Sequence, residues 1–272
     1  MELIIEKREK VKQFSLMFHH LKCISENINI LFTENGLYAQ GITSCHCSFF
    51  ELNLSSDWFK EYSCEKEITI GVNCELLFRC ISCLSENQTI KLFYDKSDKL
   101  KIVFSGEKTL TKKFEMPNIT IDTENLEVPE VDYSNDLKLS SEMFCNLINE
   151  MSIFSEQVQF KLNREQINMI SHSLTTGKMD ITLLDDNILE WCCEEENDVD
   201  IHFALEYLKN MCLFSKLNSE VSIHISNDFP LKLTYDLSNW MDNINDNEET
   251  DDNMDVVNNN IIKFYLAPKI ED

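Results

Sequence analysis

Apolar residues recur with a helical period at two places in the first half of the chain. Phe14, Met17, Phe18 and Leu21 form one stripe. Val72, Leu76, Leu77, Cys80 and Ile81 form a second, at i, i+4, i+5, i+8 and i+9. Elsewhere the period drops to two. Ile28, Ile30 and Phe32 alternate with polar residues and run into a turn at Thr33-Glu34-Asn35-Gly36. Ile90-Lys91-Leu92-Phe93-Tyr94 and Leu100-Lys101-Ile102-Val103-Phe104 flank the polar Asp95-Lys96-Ser97-Asp98, which predicts a hairpin. The predicted order is strand, helix, strands, helix, strands.

The same order returns roughly 130 residues later. Phe144, Leu147, Ile148 and Met151 match the first stripe. Phe203, Tyr207, Leu208, Met211 and Cys212 match the second, and Val158, Phe160 and Leu162 lead to a turn at 163–166. The second hairpin is Val221-Ser222-Ile223-His224-Ile225 against Leu231-Lys232-Leu233-Thr234-Tyr235. One offset held across so many elements predicts a duplicated α+β unit. Signals for parallel crossovers are few, so the sheets are expected to be antiparallel, with the helices on one face. The predicted domains are 1–117 and 134–272. A connector at 118–133 lies between them, extended on the surface beyond Pro117 and containing Pro129. The Asp/Asn/Glu-rich stretch 238–260 has no apolar period and reads as a disordered acidic insertion.

Composition narrows the function. Hydrophobic residues make up 43% of the 272, enough for packed cores. Lys and Arg total 24 against 48 Asp and Glu, a net charge of −24. That argues against coating nucleic acid with the whole surface but leaves room for a local basic face. The five glycines never cluster, so no phosphate-cradling loop is present. Eleven scattered cysteines, no leader at the start and no apolar run of spanning length predict a soluble intracellular protein with reduced thiols and no membrane partner.

Candidate chemistry is thin. Cys80 and Cys83 have metal-knuckle spacing but fall in a predicted helix without a matching pair, so core packing is the preferred reading. Cys45-His46-Cys47 is expected on a strand, where neighbours face opposite sides and cannot form a dyad. His19 and His20 read as solvated helix residues. Asp185-Asp186 and Glu194-Glu195-Glu196 read as solvated loops, and Asp242 and Asp246 lack the third-position ligand and glycine of a calcium loop. No enzyme, metal or cofactor is predicted. On helical wheels Lys12, Ser15, His19 and Lys22 oppose the first stripe. Arg79, Lys209 and Lys216 likewise lie off theirs, while the third helix shows Glu142, Asn146, Asn149 and Glu150.

The terminal Lys263-Phe264-Tyr265-Leu266-Ala267-Pro268-Lys269-Ile270-Glu271-Asp272 resembles the last strand and tail of the proliferating cell nuclear antigen family of DNA sliding clamps. Gly41-Ile42-Thr43-Ser44-Cys45-His46-Cys47-Ser48 resembles its Met-Asp-Ser-Ser-His-Val-Ser segment. Leu126-Glu127-Val128-Pro129-Glu130 with Tyr133 resembles its connector, and Phe203-Ala204-Leu205 with Tyr207-Leu208 the start of its last helix.

The resemblance implies two clamp domains per chain and a homotrimeric ring, with antiparallel sheets outside and helices lining a channel around duplex DNA. Segments 108–116 and 174–183 would pair between subunits. Lys12, Lys22, Arg79, Lys209 and Lys216 would face DNA. Ile42, His46, Leu126, Val128, Pro230, Tyr265, Ala267, Pro268 and Ile270 would form the pocket for client peptides of the PIP-box type, which carry a Gln, an aliphatic residue and paired aromatics. DNA polymerase and a clamp loader are the implied partners, in the nucleus or a viral replication compartment. The chain departs from the family at Thr43, where an Asp is usual, and at the lost basic positions Asn146, Asn149 and Glu206. Arg164 stands where relatives carry a modified lysine, and the 238–260 insertion is also unusual. The weak channel charge keeps an alternative open: a clamp-fold interaction scaffold that does not encircle DNA.

Overall fold

A computed structural model describes residues 1–95, 98–122, 126–193, 198–238 and 260–269. The predicted acidic insertion, apart from Ser238 and Asn260, lies outside the described residues, as do Glu194-Glu195-Glu196 and Ile270.

The first repeat runs β1 (Glu2–Ile5), α1 (Arg8–His20), β2 (Asn27–Thr33), β3 (Gly36–Ile42), β4 (Ser48–Ser55), β5 (Glu61–Ser63), β6 (Ile68–Asn73), α2 (Cys74–Ile81), β7 (Thr89–Phe93), β8 (Lys99–Ser105) and β9 (Lys112–Pro117). The second runs β10 (Asn135–Ser140), α3 (Ser141–Met151), β11 (Gln157–Leu162), β12 (Ile167–Ser173), β13 (Gly177–Leu183), β14 (Ile188–Cys193), β15 (Val199–Ala204), α4 (Leu205–Cys212), β16 (Glu220–Ile225), β17 (Leu231–Asp236) and β18 (Ile261–Leu266). The order strand, helix, strands, helix, strands holds in both, and the registers given below are antiparallel, as the hairpin spacing predicts.

Two compact units result, and neither is continuous in sequence. The first contains Met1–Gly41, Glu51–Leu126 and Asp236–Ile262; the second contains Ile42–Phe50, Glu127–Tyr235 and Lys263–Asp272. In the first, strands neighbour in the order β5-β1-β7-β8-β9 and again β4-β3-β2-β6. In the second the equivalent orders are β14-β10-β16-β17-β18 and β13-β12-β11-β15. Leu3 opposes Leu92 and Ile5 opposes Ile90 in one unit; Leu137 opposes Ile223 and Leu139 opposes Val221 in the other.

Period-two residues face inward at equivalent places. Ile90, Leu92, Leu100, Ile102 and Phe104 are buried, and so are Val221, Ile223, Leu231, Leu233 and Tyr235. In each unit a pair of helices packs side by side, α1 with α2 and α3 with α4. Phe14, Met17 and Phe18 of α1, like Phe144, Ile148 and Met151 of α3, are almost fully covered. Truncating one such phenylalanine costs about 3–5 kcal/mol.

Some sequence expectations shift. Val72 and Phe203 lie on β6 and β15, so the second stripe of each repeat begins on a strand, not in the helix. The buried helix faces are Cys74, Leu77 and Ile81 on α2 and Leu205, Leu208, Met211 and Cys212 on α4. Leu76 is 38% exposed. Asn73 explains the start of α2: its side chain accepts the Leu76 N–H at 3.0 Å, capping the first turn. The helix stops at Ile81, so Cys83 is exposed rather than packed in the core, and Cys80 is only half-buried. Likewise α4 ends at Cys212, and Lys216 sits in the turn beyond it. The proposed pairing edges are narrower than 108–116 and 174–183. Lys108 has φ 57° before β9, and the residues before Gly177 form a turn. β9 and β13 are the outermost strands of their sheets.

Candidate functional site

The helices of each unit and the residues just past their ends carry the positions expected to face DNA: Lys22 lies in a short 3-10 turn after α1, as Lys216 lies in the turn after α4. Lys12 is exposed on α1 and Lys209 on α4, both opposite the buried stripe. Lys22 and Arg79 share one acid: Glu75 on α2 lies 3.4 Å from Lys22 Nζ and 3.2 Å from Arg79 Nε. Lys22 Nζ also stands 3.1 Å from the centroid of the Phe78 ring. His19 packs edge-on to that ring at 4.4 Å, and its pKa is lowered by burial and then by Lys22. It is therefore less solvated than its place on the wheel suggests. On the second unit's helices Glu142, Asn146, Asn149, Glu150 and Glu206 are exposed. Two of the five expected DNA-facing cations thus have an acid at hand, and the second unit adds acids of its own.

The connector is fastened to each unit by backbone-directed contacts. In the first, the N–H of Ile119 donates to the Gly71 carbonyl at 2.9 Å, and the N–H of Gly71 donates to Asn118 Oδ1 at 2.9 Å. Only glycine fits at position 71, because a Cβ there would stand 2.0 Å from the Ile119 carbonyl oxygen. Farther on, Asn29 Nδ2 donates to the Ile121 carbonyl at 3.2 Å. Gln40 of β3 then takes both backbone groups of Leu126. Leu126 itself is 51% exposed.

In the second unit, Tyr133 ends the connector. Its hydroxyl donates to the Pro230 carbonyl at 3.0 Å, which fixes one expected pocket residue. Its ring lies against Phe229 and His224, with Lys232 Nζ 4.8 Å from the ring centroid. His224 pairs with Asp136. Burial depresses the His224 pKa, Lys232 depresses it further, and Asp136 opposes both. Lys232 is itself lowered by burial and by Lys263.

The other pocket candidates of the second unit are Ile42, His46, Val128, Tyr265, Ala267 and Pro268. Ile42, at the end of β3, and Val128 are half-exposed. Tyr265 of β18 packs on Phe49 with ring centroids 5.6 Å apart. Past β18 the chain is tied down twice: the Ala267 N–H donates to the Cys47 carbonyl at 2.9 Å, and the Lys269 N–H to the His202 carbonyl at 2.8 Å. The tail is thereby drawn beside the turn that carries His46. Leu126 belongs to the first unit, and Ile270 lies outside the described residues.

That turn differs from the expected strand. Residues 43–47 bend between β3 and β4, and His46 has φ 59°. Thr43 closes the bend: its N–H donates to the Ser48 carbonyl at 2.9 Å, and its Oγ1 accepts the Ser48 N–H at 3.0 Å. Sequence periodicity reveals neither Gln40 nor Gly71 as connector anchors, since both lie in ordinary strand pattern.

Two repeats built alike, each with a helix pair backed by antiparallel strands, and a connector pinned at both ends define the DNA-clamp fold. A solved structure bears this out: the PCNA2-PCNA3 complex from Sulfolobus tokodaii superposes with a TM-score of 0.82, covering 99% of each chain at 22% identity. The model of the proliferating cell nuclear antigen N-terminal domain matches residues 6–125, and that of its C-terminal domain matches residues 127–244. The chain belongs to the proliferating cell nuclear antigen family. It is 25% identical over 259 residues to proliferating cell nuclear antigen of Chaetomium thermophilum, covering 93% of this chain and 92% of that one. It is 24% identical over 242 residues to proliferating cell nuclear antigen 2 of Drosophila melanogaster (88% and 87%). It is also 24% identical over 271 residues to the probable DNA polymerase sliding clamp 2 of Paramecium bursaria Chlorella virus 1 (99% and 91%).

Proposed function

We propose that the chain works as a DNA sliding clamp, a non-enzymatic processivity factor that closes around duplex DNA and tethers a polymerase. The observation that carries this reading is the match of both halves of the chain to the two domains of the family, on a fold in which both repeats are complete. Three copies close head to tail, the open edge of β9 in one subunit pairing with the open edge of β13 in the next. Lys12, Lys22, Arg79, Lys209 and Lys216 face the duplex, and Ile42, His46, Leu126, Val128, Pro230, Tyr265, Ala267, Pro268 and Ile270 receive PIP-box-type peptides. Residues 1–117 and 134–272 act as the two clamp domains, joined by the connector at 118–133. A clamp loader opens the ring, and the setting is the nucleus or a viral replication compartment.

The pairing of Lys22 and Arg79 with Glu75 supports weak direct affinity for DNA, so retention comes from closure of the ring. The same pairing is what favours the second reading, a scaffold that does not encircle DNA. Light scattering at several concentrations tests the assembly. A homotrimer has about three times the 31.8 kDa of one chain, and a mass that stays at one chain at every concentration refutes the ring.

A further inference from the structure

The turn at 43–47 carries two thiols with unequal surroundings. Cys45 is exposed, and its Sγ lies 2.9 Å from the hydroxyl of Tyr207 on α4 and 3.4 Å from Thr43 Oγ1. Two hydroxyls thus converge on one sulfur from different elements. Cys47 follows two residues later, half-buried, with its Sγ 3.4 Å from the Cys45 carbonyl oxygen. His46 between them is left-handed, with φ 59°, and the two thiols are close enough to interact through a side-chain hydrogen bond. Contacts with Thr43, then Tyr207, then the Cys47 backbone lower the Cys45 thiol to about 6; the Thr43 hydroxyl donates its own proton to the Ser48 carbonyl at 3.1 Å, which leaves Tyr207 as the side-chain donor. The Cys47 thiol is raised, first by sharing its proton with Cys45. Of the two, Cys45 is the sulfur that ionises more readily. Cys64, Cys74 and Cys212, by contrast, are buried and pushed up by desolvation.

We propose that Cys45, exposed beside the Tyr207 hydroxyl, is a peroxide-reactive thiol and that Cys47 resolves its sulfenic acid to a Cys45–Cys47 disulfide. In the first step the Cys45 sulfur attacks one oxygen of hydrogen peroxide. The O–O bond breaks, hydroxide leaves and takes up a proton as water, and a sulfenic acid forms. In the second, the Cys47 sulfur attacks Cys45 Sγ. The S–O bond breaks, and the departing hydroxide takes the Cys47 proton as a second water. Two thiols are oxidised by two electrons, and one peroxide is reduced to two waters. Tyr207 is a positioning residue, because its hydroxyl stabilises the attacking sulfur.

The test is site-resolved alkylation and oxidation of the full chain, with the exposed Cys23, Cys83 and Cys192 as internal references. A lowered pKa raises the thiolate fraction but reduces intrinsic nucleophilicity, so the advantage is greatest in mild acid. Cys45 is expected to react with iodoacetamide about tenfold faster than the references at pH 6. Its rate should rise with a midpoint near 6, and Tyr207→Phe should move that midpoint upward. After stoichiometric hydrogen peroxide, peptide mapping should find the Cys45–Cys47 disulfide, and Cys47→Ser should instead yield a Cys45 adduct with dimedone. Cys45 labelling no faster than the references, or a Cys47→Ser protein with no dimedone adduct at Cys45, overturns the reactive thiol. Oxidation that pairs Cys45 with a different cysteine overturns the role of Cys47.

Discussion

Gln40 holds Leu126 by both of its backbone groups: Gln40 Oε1 accepts the Leu126 N–H at 2.9 Å, and Gln40 Nε2 donates to the Leu126 carbonyl at 2.7 Å. A side chain on β3 thereby mimics a neighbouring strand and pins the connector where it carries an exposed leucine. Gln40→Ala removes both bonds at a local cost of about 1–2 kcal/mol, given about 1 kcal/mol net per hydrogen bond. Amide exchange at Leu126 should quicken several-fold while exchange in β2 stays unchanged. If Leu126 anchors clients, affinity for a PIP-box-type peptide should drop in the same variant. Unaltered exchange at Leu126 would show that the connector is held by other means.

Gly71→Ala probes the other end of the same attachment. The new Cβ would meet the Ile119 carbonyl oxygen at 2.0 Å, so strand and connector must separate. Overpacking of this kind costs about 1–3 kcal/mol. Calorimetry should show a lowered melting midpoint, together with faster exchange at Ile119, whose N–H bonds to Gly71. A wild-type midpoint would mean that the connector has room to move aside.

Glu75→Gln should free two cations at once, since Glu75 meets both Lys22 and Arg79. The pairs are exposed and contribute little to folding. Stability should therefore hardly change, while direct binding to a short duplex tightens and becomes more salt-dependent. Each additional phosphate neutralised steepens the slope of log K against log salt by about 0.9. Lys12→Glu and Lys209→Glu should act in the opposite sense. If Glu75→Gln leaves the salt slope unaltered, Lys22 and Arg79 do not face DNA.

His224 gives a pH dependence with a definite sign. Its folded pKa is depressed by burial and by Lys232, with Asp136 opposing, so the unfolded chain binds the proton more readily. The stabilising contribution is present above the unfolded value of about 6.5 and is lost as pH falls from there through the folded pKa. Melting midpoints between pH 7 and pH 5 should fall more steeply for the wild type than for His224→Gln. Parallel lines would show that His224 titrates alike in both states.

Much of the fold is legible in the sequence because the repeat is written in buried positions. Ile28, Ile30 and Phe32 have counterparts at Val158, Phe160 and Leu162, all in the core. Apolar spacing alone cannot mark where a strand becomes a helix. Val72 and Phe203 look like helix stripe but sit on strands, and the Asn73 cap sets the true start of α2. The site is less legible. The expected cations stand out on helical wheels, but Glu75, shared in space between Lys22 and Arg79, does not. Gln40 and Gly71 act through backbone groups of residues far along the chain, which leave no periodic trace. The bend at His46 is hidden as well: residues 43–47 include no glycine, proline, Asn or Asp, and Thr43 closes the bend instead.

Encirclement is a topological property, so it is tested by comparing retention on closed and open DNA. The protein is loaded onto primed circular DNA with a clamp loader and ATP, washed in salt high enough to screen phosphate contacts, and assayed again after the circle is cut once. A closed ring should stay on the circle through the wash and slide off when the DNA becomes linear. Equal retention on circular and linear DNA, or loss from both in the wash with the trimer intact, would contradict encirclement.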